Sequence, residues 1–153
     1  MTRRIWFQGT ARVTCDAARI DQALADIGSF FSKTVAGMPG ISKVSTVDRD
    51  GATYRFRTNE GEVQRSAVSI EGEGGNTRLQ FEETYDARLV VVRAHHRHSF
   101  ESDETGTTIR VEISNVSATG LLGFAYKLFG SKSIGKAILA AYQDYFDAAR
   151  QSK

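Results

Sequence analysis

The stretch Leu89-Val-Val-Val-Arg-Ala-His-His-Arg-His-Ser-Phe-Glu101 decides the fold class of this chain. Val90, Val92, Ala94, His96, His98 and Phe100 stand at every second position, with Arg93, His95, Arg97 and Ser99 between them. Successive side chains of a strand point to opposite faces, so this alternation belongs to a strand with one buried and one wet face. The same period repeats outward on both sides. From residue 41 to residue 117, alternating runs are separated by Asp50-Gly51, Asn59-Glu60-Gly61, Gly72 to Asn76 and Glu104-Thr105-Gly106, with a corner near Asp86-Ala87. Short alternating runs bounded by such turn residues are the pattern of an antiparallel meander. The predicted strands are residues 42–47, 53–58, 62–71, 77–84, 89–101 and 107–116. Asp50-Gly51 carries the strongest hairpin signal, and a type I′ turn there needs positive φ at both centres.

Before the meander, residues 4–14 alternate as well, with Ile5, Phe7, Ala11 and Val13 on one side, which brings the expected strand count to seven. A helix follows: Asp16 suits the N-cap, Ile20, Ala23, Leu24 and Ile27 recur at helical spacing, and Gly28 suits the left-handed end. A second short helix is expected over residues 30–36, ending at Gly37, before Met38-Pro39-Gly40 turns the chain. Beyond Gly120 the period changes to 3.6. Ile134, Ile138, Ala141, Tyr142, Tyr145, Phe146 and Ala149 form one apolar stripe, which predicts a long helix from Gly135 or earlier to Arg150, with a break near Gly130-Ser131. Gly123, Gly130 and Gly135 each weaken a helix by up to about 1 kcal/mol relative to Ala.

Composition narrows the functional classes. The chain has 153 residues, 41% hydrophobic and 25% charged, with a net charge of +2, as an average globular protein has. It carries no Pro/Gly/Ser-rich linker, so residues 1–153 are expected to form a single domain. Cys15 is alone, which excludes a disulfide scaffold. No apolar run approaches the ~20 residues of a membrane-crossing helix, and no apolar leader follows Arg3-Arg4, so the expected compartment is the cytoplasm. The arginines alternate singly with other residues instead of forming the basic stripe of a nucleic-acid binder, so no nucleic-acid partner is expected. Oligomeric state is not written in any motif.

The order strand, two short helices, six-stranded meander and long terminal helix resembles the START-like helix-grip superfamily (SRPBCC), in its polyketide cyclase/dehydrase-like or carbon monoxide dehydrogenase G-like branch. Met38-Pro39-Gly40-Ile41-Ser42-Lys43-Val44 is similar to the hydrophobic-Pro-Gly turn leading into the second strand of those proteins, and Thr119-Gly120-Leu121-Leu122-Gly123 is similar to their glycine-rich approach to the last helix. Many members carry a Trp near the Pro-Gly turn, whereas the one Trp here is Trp6. The resemblance implies an α+β fold in which a seven-stranded curved antiparallel sheet wraps around the C-terminal helix and leaves an apolar cavity between them. With inward faces following the apolar parity, the expected ligand-binding residues are Tyr54, Phe56, Phe81, Val92, His96, His98, Phe100 and Val111, accompanied by Val68, Leu79, Val90, Ile109 and Ile113 and, on the 62–71 strand, Ile70. Phe124, Ile138, Tyr142 and Phe146 of the helical third are expected to close the cavity.

All three histidines fall between Arg93 and Phe100. Parity places His96 and His98 inside and His95 outside. Two inward imidazoles suit three roles: orienting a polar head group, acid–base work near neutral pH, and ordinary hydrogen-bonded core positions. A metal is not expected, because two ligands along one strand lack a third at any recognised spacing. No cofactor motif, nucleophile elbow or phosphate loop is present, and Glu82 and Glu83 point to opposite faces, with Glu83 on the parity of Phe81. The expected function is binding or transport of an apolar or amphipathic small molecule: a lipid, a quinone or a polyketide-like compound. Two alternatives accompany it. One is a cyclase/dehydratase-type enzyme using His96 or His98; the other is an accessory protein of a membrane or redox enzyme, compatible with peripheral membrane contact through exposed apolar residues among 121–129.

Overall fold

The computed structural model describes residues 4–87, 89–121, 123 and 131–151. Strand β1 (Ile5–Val13) is followed by helices α1 (Ala17–Ala25) and α2 (Ile27–Ala36). The meander comprises β2 (Val44–Asp50), β3 (Thr53–Thr58), β4 (Gly61–Glu73), β5 (Asn76–Ala87), β6 (Val90–Asp103) and β7 (Gly106–Thr119), and helix α3 (Ser131–Gln151) follows it. The seven strands form one curved sheet in the order β1-β7-β6-β5-β4-β3-β2. Every neighbouring pair is antiparallel. The meander runs in chain order, and β1 closes the far edge against β7. Helices α1 and α2 therefore carry the chain from one edge of the sheet to the other.

Local chemistry explains most boundaries. The Asp16 side chain accepts the Arg19 N–H at 3.0 Å and caps α1, whose Ile20, Ala23 and Leu24 are buried. The expected continuation of α1 to Gly28 is corrected: the helix ends at Asp26 (φ −113°, ψ 66°), where the Asp26 N–H reaches back to the Ala23 carbonyl. Ile27 then opens α2, which places Gly28 inside that helix instead of at a left-handed cap. The β2–β3 loop is Gly51-Ala52, between the paired residues Asp50 and Thr53. Of these two, only Gly51 has positive φ (+57°), so the expected type I′ geometry with two such centres is not adopted.

Bulges bend the sheet. On β4 an extra residue intervenes between Ser66 and Ser69, with Ala67 in the left-handed region at φ 51°. On β7 the register against β6 shifts between Arg93 and His95, with Asn115 at φ 54°. A bulge locally bends its strand and raises the twist, which curves the sheet toward the helix it holds.

The core lies between the concave face and the helices. From α3, Ile138, Leu139, Ala141, Tyr142 and Phe146 are buried. Phe30 of α2 stacks on Tyr142 with ring centres 5.4 Å apart, and Phe31 meets Phe81 of β5 edge to face at 5.2 Å. Among the described residues, no helix is long and apolar enough to cross a membrane.

Candidate functional site

Strands β4, β5 and β6 face α3 with a set of polar side chains set among these aromatics. Val63 and Arg65 of β4 point inward, ahead of the bulge. Arg65 pairs in register with Glu83 of β5, and Glu83 pairs with Ala94 of β6, so the guanidinium and the carboxylate emerge side by side on the concave face. Arg65 Nε–H donates to Glu83 Oε2 at 2.9 Å. The guanidinium carbon lies 4.6 and 4.5 Å from the ring centres of Phe31 and Phe81, in cation–π contact with both.

From Glu83 the polar contacts run inward. Its Oε1 lies 3.7 Å from His96 Nε2. His96 Nδ1 and His98 Nε2 are 3.1 Å apart, and His98 Nδ1 hydrogen-bonds the Tyr142 hydroxyl. His96 is stacked on Phe81 with ring centres 4.8 Å apart. Burial disfavours the charged imidazole and pushes His96 down to about 4, against the pull of Glu83; burial also holds His98 well below its ordinary range. Both rings are therefore neutral at neutral pH. Burial works to raise the Glu83 carboxyl, but Arg65 and then His96 outweigh it and hold the group below its ordinary value, so Glu83 is ionised. Burial raises the Tyr142 phenol far above its ordinary value and keeps it protonated.

At 3.7 Å the Glu83–His96 contact is electrostatic, longer than a hydrogen bond. The ionised carboxylate favours the hydrogen of His96 on Nε2; its Nδ1 then accepts from His98 Nε2–H, and His98 Nδ1 accepts from the Tyr142 O–H.

The carboxylate end opens onto a cavity. A space of about 270 Å³ lies between the end of α2, the Pro39 turn, β4, β5 and the start of α3. Val35, Met38, Pro39, Ile41, Ile134 and Ile138 form its apolar wall, and Arg65 and Glu83 form its polar end beside Val63 and Tyr85. A crevice of about 10 Å³, room for no more than one water, lies beside Thr34, Ala141 and Tyr142 and shares Met38, Arg65 and Ile138 with the main space. A larger depression of about 540 Å³ surrounds the β4–β5 turn, but its walls are polar and charged side chains such as Glu71, Glu73 and Arg78, with no apolar shelter. Among the described residues, no group of three or more His, Cys, Asp or Glu gathers to hold a metal ion.

No family model matches the sequence, and no curated protein matches it. The architecture does find similar solved structures. One is the STAR-related lipid transfer protein from Xanthomonas axonopodis, with TM-score 0.60 and 13% identity over 91% of this chain and 84% of that one. The human StarD13 lipid transfer and protein localization domain is similar with TM-score 0.57 and 11% identity over 91% of this chain and 75% of that one. The di-domain ARO/CYC BexL from the BE-7585A biosynthetic pathway is similar with TM-score 0.52 and 16% identity over 92% of this chain and 49% of that one. The chain has a START-like helix-grip fold.

In this helix grip the expected pocket residues divide sharply. Ile138 lines the cavity, and Tyr142 is buried beside the small crevice next to it. Tyr54, Phe56, Phe81, Val92, Phe100, Val111 and Phe146 are buried in the packed core, where their rings and branches fill the space between sheet and helix. Leu79, Ile109 and Ile113 are buried with them, Val68 and Val90 are partly buried, and Ile70 is 41% exposed. Ile70 stands opposite Leu79 on the inner side of the sheet, because the bulge at Ala67 inserts one residue and turns the even positions beyond it inward, but it does not line the cavity. His96 and His98 share the inner face and His95 lies on the other, where its Nδ1 meets Glu82 at 2.6 Å. The two inner imidazoles are spent on each other and on Tyr142, one layer behind the cavity wall. Phe124 lies outside the described residues, as do Leu122 and residues 125–130; Leu121 is 83% exposed.

Arg65 is the site residue that pattern reading missed. Arg65 shares the parity of Val63, but Val68 and Ile70 give the strand the opposite parity, and the bulge at Ala67 is what brings both sets inside.

Proposed function

We propose that this protein is a one-domain binding module for a neutral, compact amphipathic molecule, held in the cavity between the Pro39 turn, the sheet and α3. The observation that carries this reading is the union of an apolar wall with one buried ion pair at a single end of the 270 Å³ space. Ligand sites have this form: mostly hydrophobic lining with a few placed polar groups. The volume sits just under the ~300 Å³ lower end for such sites, which favours a small ring system or short chain over a large lipid.

The polar end selects the head group by charge. Arg65 and Glu83 neutralise each other, so a ligand carboxylate or ammonium would bring an uncompensated charge into a partly dry site. A carbonyl or hydroxyl brings none, and it can accept a hydrogen bond from the guanidinium. The START-like fold is also that of solved proteins described as lipid transfer domains, which agrees with a sheltered apolar ligand.

Native mass spectrometry of the protein purified from its own host tests this reading, together with displacement of an apolar fluorescent probe. A co-purifying neutral molecule, lost from a folded Val63→Phe variant, is the expected result. A protein that carries nothing, and takes up no apolar probe, would overturn it.

A further inference from the structure

Arg65 and Glu83 leave part of their hydrogen-bonding capacity unmet. A guanidinium carries N–H donors on Nε and on both Nη atoms, yet among the described residues only Nε–H of Arg65 is taken, by Glu83 Oε2 at 2.9 Å. Arginine–carboxylate pairs commonly form two parallel bonds, and here the second is not made. Glu83 Oε1 stands 3.7 Å from His96 Nε2, outside hydrogen-bond range. The two side chains are 9% and 20% exposed, so bulk water reaches little of either. Polar groups this deeply buried are ordinarily hydrogen-bonded. The Nη atoms and Oε1 are not sealed off by protein, and both residues line the polar end of the 270 Å³ cavity, so the partners they lack are to be found there.

We infer that the cavity takes a carboxamide with a short apolar chain, its C=O accepting from an Arg65 Nη–H while its N–H donates to the Glu83 carboxylate. The inference deepens the cavity reading above and rests on it. The missing half of the Arg65–Glu83 pair calls for an acceptor on one side and a donor on the other, both on one compact group. A carboxamide holds the two on neighbouring atoms of one plane and carries no charge. Its chain would lie along Val35, Met38, Ile41, Ile134 and Ile138, the apolar side of the same space.

Other head groups satisfy the pair less well. A ketone or ester supplies only the acceptor and leaves the carboxylate without its donor. A carboxylate supplies only acceptors, and its charge adds to that of Glu83 in a site where one negative charge is already balanced. An alcohol must serve both sides from one oxygen with a single hydrogen, whereas the carboxamide offers two lone pairs to the Nη groups and two hydrogens to the carboxylate. Glu83 is on this reading the residue that sets specificity: it demands a donor and repels an acid.

Four ligands of equal size separate these cases: octanamide, 2-nonanone, octanoate and 1-nonanol, each displacing N-phenyl-1-naphthylamine from the whole protein at neutral pH. Octanamide should act at a concentration about 10-fold lower than 2-nonanone, which has the same shape and lacks only the donor, as a hydrogen bond to a charged group is worth at least that factor. It should also outcompete octanoate and 1-nonanol. In Glu83→Gln the Arg65 charge stands alone, and the order should invert, with octanoate ahead of octanamide. Equal displacement by octanamide and either 2-nonanone or 1-nonanol overturns the carboxamide and leaves the cavity reading standing. Octanoate as the tightest ligand of the wild-type protein overturns the carboxamide as well. No uptake of the naphthylamine and no binding of any of the four overturns both readings. A folded Glu83→Gln protein that keeps the wild-type order removes Glu83 from the specificity and overturns the inference. Should that variant not fold, the order of the four ligands on the wild-type protein decides alone.

Discussion

The ring of Phe7 on β1 occupies the place that a side chain at Gly135 of α3 would take: a Cβ there would stand 2.3 Å from three ring carbons. Glycine at this position lowers helix propensity, and α3 accepts that cost because the missing side chain lets it lie closely on the sheet edge.

Gly135→Ala is therefore predicted to destabilise the protein by about 1–3 kcal/mol, the cost of overpacking, although Ala is the better helix former by up to about 1 kcal/mol. Urea unfolding measures the difference. A gain in stability would show that Phe7 moves aside freely.

Ala67 gives the opposite expectation. Its φ of 51° is left-handed, which costs a residue with a Cβ about 1–2 kcal/mol and glycine almost nothing. Ala67→Gly should raise stability by up to about 1 kcal/mol, since part of the gain is lost to the greater freedom of glycine in the unfolded chain. An unchanged or lower denaturation midpoint would contradict this.

Removing one member of the Arg65–Glu83 pair should cost much more than removing both. Arg65→Ala leaves an ionised carboxylate among aromatic rings, and a loss of about 3–5 kcal/mol is expected. The double variant Arg65→Met, Glu83→Leu should lose far less, because no lone charge remains. A double-mutant cycle by chemical denaturation checks the coupling; additive losses would refute it.

Acid should weaken the fold in a defined window. His96 titrates near 4 in the folded protein and near its ordinary 6.5 when unfolded, so between these values the unfolded chain binds more protons. Stability is then fully present above 6.5 and is lost as the pH falls toward 4, by about 3 kcal/mol for this residue. His98 acts in the same direction, and Glu83, with its lowered value, extends the loss below 4.5. The groups around these imidazoles are Arg65, Glu83 and Tyr142, and protonation of either ring meets the Arg65 charge. His96→Gln should flatten the profile between pH 6.5 and 4, as measured by thermal midpoints across that range.

Two small-to-large changes test how tightly the grip is packed. Ala94 is buried against the packed core, so Ala94→Phe should cost about 1–3 kcal/mol or prevent folding. Ala141 is as deeply buried, and the crevice beside it holds only about 10 Å³, so Ala141→Phe should do the same damage, measured by urea unfolding. Wild-type stability in either variant would show unfilled space beside that alanine.

Periodicity alone determined the meander, the long terminal helix and the sidedness of the histidines. These are local properties: a side chain's face follows from its neighbours two or four residues away. The sequence boundary near Gly130-Ser131 coincides with the start of α3 at Ser131 for the same reason. Tertiary structure alone decided where the cavity lies. Phe30 and Phe31 of α2, Phe81 of β5, and Tyr142 and Phe146 of α3 are far apart in sequence, and only their mutual interlocking fills the middle of the grip, displacing the open space toward Pro39 and Ile134. The burial of Arg65 had the same origin. A bulge at Ala67, which carries no turn residue, reversed the parity of β4 beyond it and left an arginine and a glutamate facing each other on the inside, where neither charge is stable without the other.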